Sequence, residues 1–221
     1  MNMTNNENEI FVSARGLSKS FHDISVCKNL SFDVFRNTMV SLVGPSGSGK
    51  STILNMIGLL ESIDSGTLKI DGSSLPALKS RKATLLRRYT INYLFQSFAL
   101  INNMSVEKNL MIAMKYTNLS KKEKHEKMQE ALDVLGIADV MLKPVNTLSG
   151  GQMQRVAVAR CIVKPGELIL ADEPTGSLDK TNAMNVFHLL EMMRDEYGKT
   201  IILVTHDEDL ARACDSSIVL V

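Results

Sequence analysis

The chain has 221 residues, 44% hydrophobic and 22% charged, which suits one compact domain with a real core and leaves little room for disorder beyond the ends. Its 25 Lys and Arg against 24 Asp and Glu give a formal charge of +1, so no large electrostatic footprint is visible and nucleic acid is not an expected partner. Cys27, Cys161 and Cys214 are widely spaced without a Cys-x-x-Cys pair, the pattern of reduced thiols and not of a disulfide frame or zinc site.

Residues 1–9 are polar and amide-rich, with no apolar core behind a basic start; they are expected to form a disordered tail and not a secretory signal, ahead of one folded domain over 10–221. Phe11 to Leu17 and Lys28 to Val34 read as strands, the second alternating Leu30, Phe32 and Val34 with polar neighbours. Met39 to Val43 is apolar apart from Ser41 and runs into a glycine loop, as a buried parallel strand does before a helix. That helix is predicted over Lys50 to Leu60, with Ile53, Leu54, Ile57 and Leu60 inward. Thr67 to Ile70, closed by Asp71-Gly72, adds a hairpin signal.

After a strand at Ile91 to Phe95, a helical insert is expected over about Ser97 to Asn146. Ser120-Lys121-Lys122-Glu123 is a capping-box pattern; its helix turns Met128, Ala131, Leu132 and Leu135 inward, stops at Gly136, and leaves Lys121 to Lys127 as a wet face. Helix Gln152 to Val163, strand Leu168 to Ala171, helix Thr181 to Tyr197 and strand Thr200 to Thr205 follow, an alternation that implies a parallel sheet. No apolar stretch approaches the roughly 18 to 20 residues that span a bilayer, so any membrane role needs spans from another chain.

Three motifs carry chemistry. Gly44-Pro45-Ser46-Gly47-Ser48-Gly49-Lys50-Ser51 fills the phosphate-loop pattern between a predicted strand and helix: its glycines let backbone N–H groups turn toward phosphate oxygens, Lys50 reaches the β and γ phosphates, and the Ser51 hydroxyl can ligate Mg²⁺. Thr52 follows in the first turn of the helix. Leu168 to Ala171 delivers Asp172 and Glu173 to a strand's C-terminal edge, where Asp172 would hold the Mg²⁺ shell and Glu173 would orient the attacking water. Read alone, that acidic pair is a helix cap. Ser149-Gly150-Gly151-Gln152 opens a helix in capping-box form; two adjacent glycines are a costly helix start unless a ligand approaches the backbone closely.

Leu148-Ser149-Gly150-Gly151-Gln152 resembles the signature of the ATP-binding-cassette ATPases, and it precedes Asp172-Glu173 as in that family. Gln96 resembles the glutamine-loop residue, Ser177-Leu178-Asp179 the D-loop and His206 the switch histidine; the likeness runs from about Phe11 to the end. It implies an α/β phosphate-loop NTPase cassette, with a mostly parallel core sheet, an N-terminal antiparallel β region and a helical subdomain. It also implies that ATP and Mg²⁺ bind, Mg²⁺ on Ser51, Gln96 and Asp172. In this family two cassettes pack head to tail, each ATP lying between the phosphate loop of one and the signature of the other, with His206 at the γ phosphate and Asp179 bracing the partner's site. Phe21 occupies the position of the aromatic that stacks on adenine, with Val26 beside it, although the family more often has Tyr there; the alternative is a core aromatic. Arg155 and Arg160 on the signature helix are expected in ordinary salt bridges.

Within the family, the wording around the phosphate loop and Asp172, with Asn55-Met56-Ile57-Gly58-Leu59-Leu60, is similar to the small cassettes of lipoprotein-release, macrolide-export and bacteriocin-export systems. The resemblance implies an ATPase subunit at the cytoplasmic face of the membrane, working with a separate transmembrane permease and a second copy of itself. Family members usually continue past a strand like Ser217 to Val221, so no C-terminal regulatory domain is expected. Rival readings are a soluble cassette acting on DNA or ribosomes, which usually has two cassettes or a long coiled-coil insert; a phosphate-loop kinase or GTPase, which gives Ser149 to Gln152 no purpose; and a cassette that regulates an enzyme mechanically.

Overall fold

The computed structural model describes residues 9–22, 24–176 and 178–220. Of the tail expected over 1–9, all but Glu9 lies outside the described residues. The first half of the chain contains β1 (Ile10–Phe21), β2 (Ile24–Phe35), β3 (Met39–Val43), α1 (Lys50–Ile57), β4 (Ser65–Ile70), β5 (Ser73–Ser74), α2 (Arg81–Tyr89), β6 (Ile91–Phe95) and α3 (Val106–Ala113). The second contains α4 (Lys121–Val134), α5 (Gly150–Val163), β7 (Leu168–Asp172), α6 (Lys180–Asp195), β8 (Thr200–Val204), α7 (Glu208–Ala213) and β9 (Ser216–Val219).

These strands make an antiparallel sheet ordered β2-β1-β4-β5 and a parallel sheet ordered β6-β7-β8-β3-β9. Side chains alternate across the parallel strands, and both sides are apolar because both faces are covered. On β8, Ile201 and Leu203 enter one hydrophobic cluster with α3, α4, α5 and α6, while Ile202 and Val204 enter another with α1 and the antiparallel sheet. Ser41, the polar break in β3, is fully buried, and its hydroxyl is satisfied by Ser217 Oγ at 2.6 Å. Arg36 joins the two sheets through Glu9, Asp71 and Glu167, with its guanidinium 4.3 Å from the Phe11 ring centroid.

Several elements differ from expectation. The hairpin of β1 and β2 extends beyond the predicted strands, because its outer half is exposed and loses the alternating pattern. Helix α1 ends at Ile57, where Gly58 caps it, and Leu59 turns to φ 58°; Leu60 is therefore 50% exposed and not inward-facing. Helices α2 and α7 were not anticipated: α2 buries only Ala83 and so has no apolar stripe, and α7 has six residues. Helix α4 keeps its capping box and buries Met128, Ala131 and Leu132, with Leu135 buried just beyond it. Among the described residues no helix is long and apolar enough to cross a membrane.

Candidate nucleotide-binding and hydrolysis site

Strand register builds the site. Phe95 pairs with Asp172, Asp172 with Val204, and Leu42 with Val204. The residues that follow, Gln96, Glu173, His206 and the loop from Gly44, therefore emerge at one C-terminal sheet edge, where open α/β sheets bind ligands.

The loop from Gly44 to Gly49 curls through φ values of 159°, 79° and 88° at Gly44, Gly47 and Gly49. The two outer glycines are also required by crowding: a Cβ on Gly44 would lie 2.8 Å from Ser48 Oγ, and one on Gly49 would lie 2.1 Å from Val26 Cγ1. Val26 thus packs against the loop. Pro45, Ser46 and Gly47 form its exposed rim, and Thr52 is half-buried in α1. Ser48 Oγ is buried without a hydrogen-bond partner, and no side chain caps α1. A cradle of this shape at a positive helix end, with a spare hydroxyl and a lysine, fits an anionic phosphate chain. Lys50 is 5% exposed, and its ammonium donates to the carbonyls of Gly44 at 2.9 Å and Pro45 at 2.7 Å.

Ser51 donates its hydroxyl to Asp172 Oδ1 at 3.0 Å. Burial pushes the Asp172 carboxyl above the ordinary carboxylate range, against the Ser51 hydrogen bond. Among the described residues no cluster of three or more His, Cys, Asp or Glu forms a metal cage. One hydroxyl and one carboxylate suit Mg²⁺, which takes few protein ligands and keeps waters and substrate phosphates.

Glu173 sits at φ 45°, a strained conformation for a residue with a side chain. Its Oε1 is 2.6 Å from His206 Nε2. The point where a Cβ on Gly176 would sit is 3.2 Å from both Gln96 Nε2 and Glu173 Oε2, which places the Gln96 amide beside the Glu173 carboxylate. A cavity of about 410 Å³ opens in front of this group, lined by Glu173, Gly176, Leu178, Thr205 and His206.

The remaining predicted residues lie elsewhere. Ser149 caps α5, accepting from Gln152 N at 3.3 Å while Gln152 Oε1 accepts from Ser149 N at 3.0 Å. Gly150 and Gly151 are exposed, and a Cβ on either would meet nothing within 4 Å. Asp179 caps α6 through Asn182 N at 2.9 Å, which holds its carboxyl below the ordinary range; Ser177 lies outside the described residues. Phe21 is 42% exposed at the end of β1, with Lys19 Nζ 4.9 Å from the ring centroid, so the core-aromatic alternative does not hold.

Arg155 and Arg160 depart from expectation. Neither pairs with a carboxylate among the described residues; Arg155 donates to Leu135 O at 2.9 Å, and Arg160 to Ala99 O and to Tyr93 O at 3.2 Å. Arg160 thereby fastens the backbone just after Gln96, where Phe98 and Ala99 both adopt positive φ, 62° and 48°. Sequence reasoning also missed Gln154, which is buried on α5 and donates to Pro174 O at 2.8 Å. Its signal was a glutamine three residues from Ala157 and four from Val158, on the face of α5 that is buried.

A family model described as ABC transporter matches residues 27–176. The chain belongs to the ABC transporter family. As an ABC cassette it binds nucleotide and hydrolyses ATP. It is 42% identical to the uncharacterized ABC transporter ATP-binding protein YknY of Bacillus subtilis over 89% of this chain and 84% of that one. It is 38% identical to the lipoprotein-releasing system ATP-binding protein LolD of Bacteroides thetaiotaomicron, over 95% and 96%. The fold matches the bacterial ABC transporter cassette MJ0796 in its dimeric structure, with a TM-score of 0.84 and 34% identity over 95% of this chain and 94% of that one. A second structure of MJ0796, a dimeric post-hydrolysis state bound to ADP and Pi, gives a TM-score of 0.82.

Proposed function

We propose that this cassette powers a membrane transporter of the release or export class, as a peripheral subunit at the cytoplasmic face, and that it works as a head-to-tail pair. The observation that carries the pair is the start of α5: a capped helix end with two exposed glycines that touch nothing in their own chain, on the opposite hydrophobic cluster from α1. A second copy placing Ser149 to Gln152 against the γ phosphate on Lys50 gives those glycines a purpose, with Asp179 bracing the facing site. The dimeric form of the similar cassette MJ0796 supports this reading.

In the proposed reaction, Phe21 stacks on adenine with Val26 beside it, and the loop amides with Lys50 hold the β and γ phosphates. Ser51, Gln96 and Asp172 would hold Mg²⁺, which supplies positive charge against the phosphates. Glu173 accepts a proton from the water whose oxygen bonds to the γ phosphorus as the bond to the β–γ bridging oxygen breaks, leaving ADP and phosphate. His206, whose Nε2 already lies against the Glu173 carboxylate, orients that carboxylate and contacts the γ phosphate.

The helical region over about 97–146 would receive a segment of a separate permease. A cleft of about 320 Å³ between that region and the core, lined by Arg88, Tyr93, Ile101, Ile112 and Arg160, is the place for it, and similarity to LolD favours lipoprotein release as the cargo class. The test is Glu173→Gln protein followed by light scattering: dimer with ATP and monomer with ADP is expected, and monomer under both conditions overturns the paired site.

A further inference from the structure

A chain with 25 basic and 24 acidic residues should scatter its charges, yet α3 is flanked by two hollows that no acid enters. The first is the cleft just described. The second, about 400 Å³, lies between α3 and the start of α4 and is lined only by Met104, Lys108, Met111, Ile112, Lys115 and Lys124. Neither lining contains an Asp or Glu.

The two hollows share a wall. Ile112, 49% exposed, lines both. At their border the Tyr116 ring lies between Arg88 of the cleft, 3.7 Å from its centroid, and Lys115 of the groove, at 5.6 Å. The Arg88 guanidinium and the ammonium groups of Lys108, Lys115 and Lys124 form no hydrogen bond or ion pair among the described residues. Three lysines without an ion partner among the described residues, around a methionine and isoleucine floor, with Arg88 on the adjoining cleft, suit an occupant that is both acidic and apolar. Methionine floors adapt to helical ridges, and a concave seam between two helices takes side chains spaced along one helix face. A duplex or a flat lipid surface makes no use of that floor.

We propose that the groove between α3 and α4 is a second docking surface, for an acidic amphipathic helix of the same membrane partner that enters the cleft. The assignment rests on the partner reading given under Proposed function. Lys108, Lys115 and Lys124 pair with carboxylates on one edge of that helix, while Met104, Met111 and Ile112 bury its apolar edge.

The test uses full-length chain carrying Lys108→Glu, Lys115→Glu and Lys124→Glu together, beside an Arg88→Glu control, each co-expressed with the permease that copurifies with wild-type protein. Lys108 and Lys115 are exposed and Lys124 is half-buried, and an unchanged melting temperature checks folding. The triple variant should keep partner-free ATPase within about twofold and lose permease-stimulated ATPase by about tenfold or more, because like charges now face each other. If Arg88→Glu abolishes stimulation and the triple variant does not, the groove assignment fails while the cleft reading stands. If neither variant changes stimulation, both fail. Binding of partner-free wild type to vesicles with about 30% phosphatidylglycerol or to duplex DNA, lost in the triple variant, would overturn the helix as occupant.

Discussion

Helices α1 and α5 both begin with glycines, for different reasons. At α1 the chain crowds itself: Gly49 must be bare because Val26 lies where a Cβ would go, and the backbone is left-handed. At α5 the glycines have ordinary φ and open space, so nothing inside this molecule demands them. A residue whose smallness its own chain does not use is kept for something outside the chain. The phosphate loop can be understood from one copy of the protein, whereas the signature, in the proposed head-to-tail pair, is completed by a second.

The largest expected effect breaks the α1 side. Lys50→Ala should weaken ATP binding at least about 100-fold by calorimetry, since it removes a charge-assisted contact to the phosphates; tight binding would show the cradle is misplaced. Glu173→Gln, by removing the proton acceptor, should lower turnover by about 100- to 1000-fold with ATP affinity retained.

On the α5 side the two helix starts should separate cleanly. Gly151→Ala should leave folding stability unchanged or raise it by up to about 1 kcal/mol, because alanine favours helix, yet cut ATPase activity about tenfold or more; Gly49→Ala should lower the melting temperature. Equal activity in Gly151→Ala would show that nothing approaches α5. Gln154→Leu should cost about 1 kcal/mol of stability and lower turnover several-fold without altering ATP affinity, a split that stopped-flow binding and steady-state kinetics resolve.

The smallest effect concerns Asp172. Its folded pKa is raised by burial, so it contributes stability below the unfolded carboxylate pKa and that contribution is lost as pH rises through the folded value. At neutral pH its charge is therefore a cost. Asp172→Asn should raise the melting temperature by about 2 °C at pH 7.5, with the gain vanishing near pH 4, while Mg²⁺-dependent hydrolysis falls.

The parallel strands were legible because both of their faces are covered, which writes nearly continuous apolar runs into β3, β7 and β8, broken in β3 only by Ser41. The phosphate loop and the α5 capping box were legible because backbone geometry demands particular residues at fixed spacing. What could not be read was either short or exposed, as with α2, or depended on distant contacts. Nothing near Arg160 in sequence says that it will hold the Ala99 carbonyl, and nothing near Gln154 points to Pro174; both partners arrive only once the sheet aligns its strand ends.

Those two contacts leave α5, 14 residues and about 21 Å long, pinned at separate points to the turns that carry Gln96 and Glu173. Free-energy linkage between such points runs equally in both directions. In the proposed pair, whatever steadies the front of this rod would tighten the two turns behind it, and a permease that disturbed the Gln96 turn would loosen the grip of the far cassette by the same amount. The motor and its load then exchange work through a single stiff shaft.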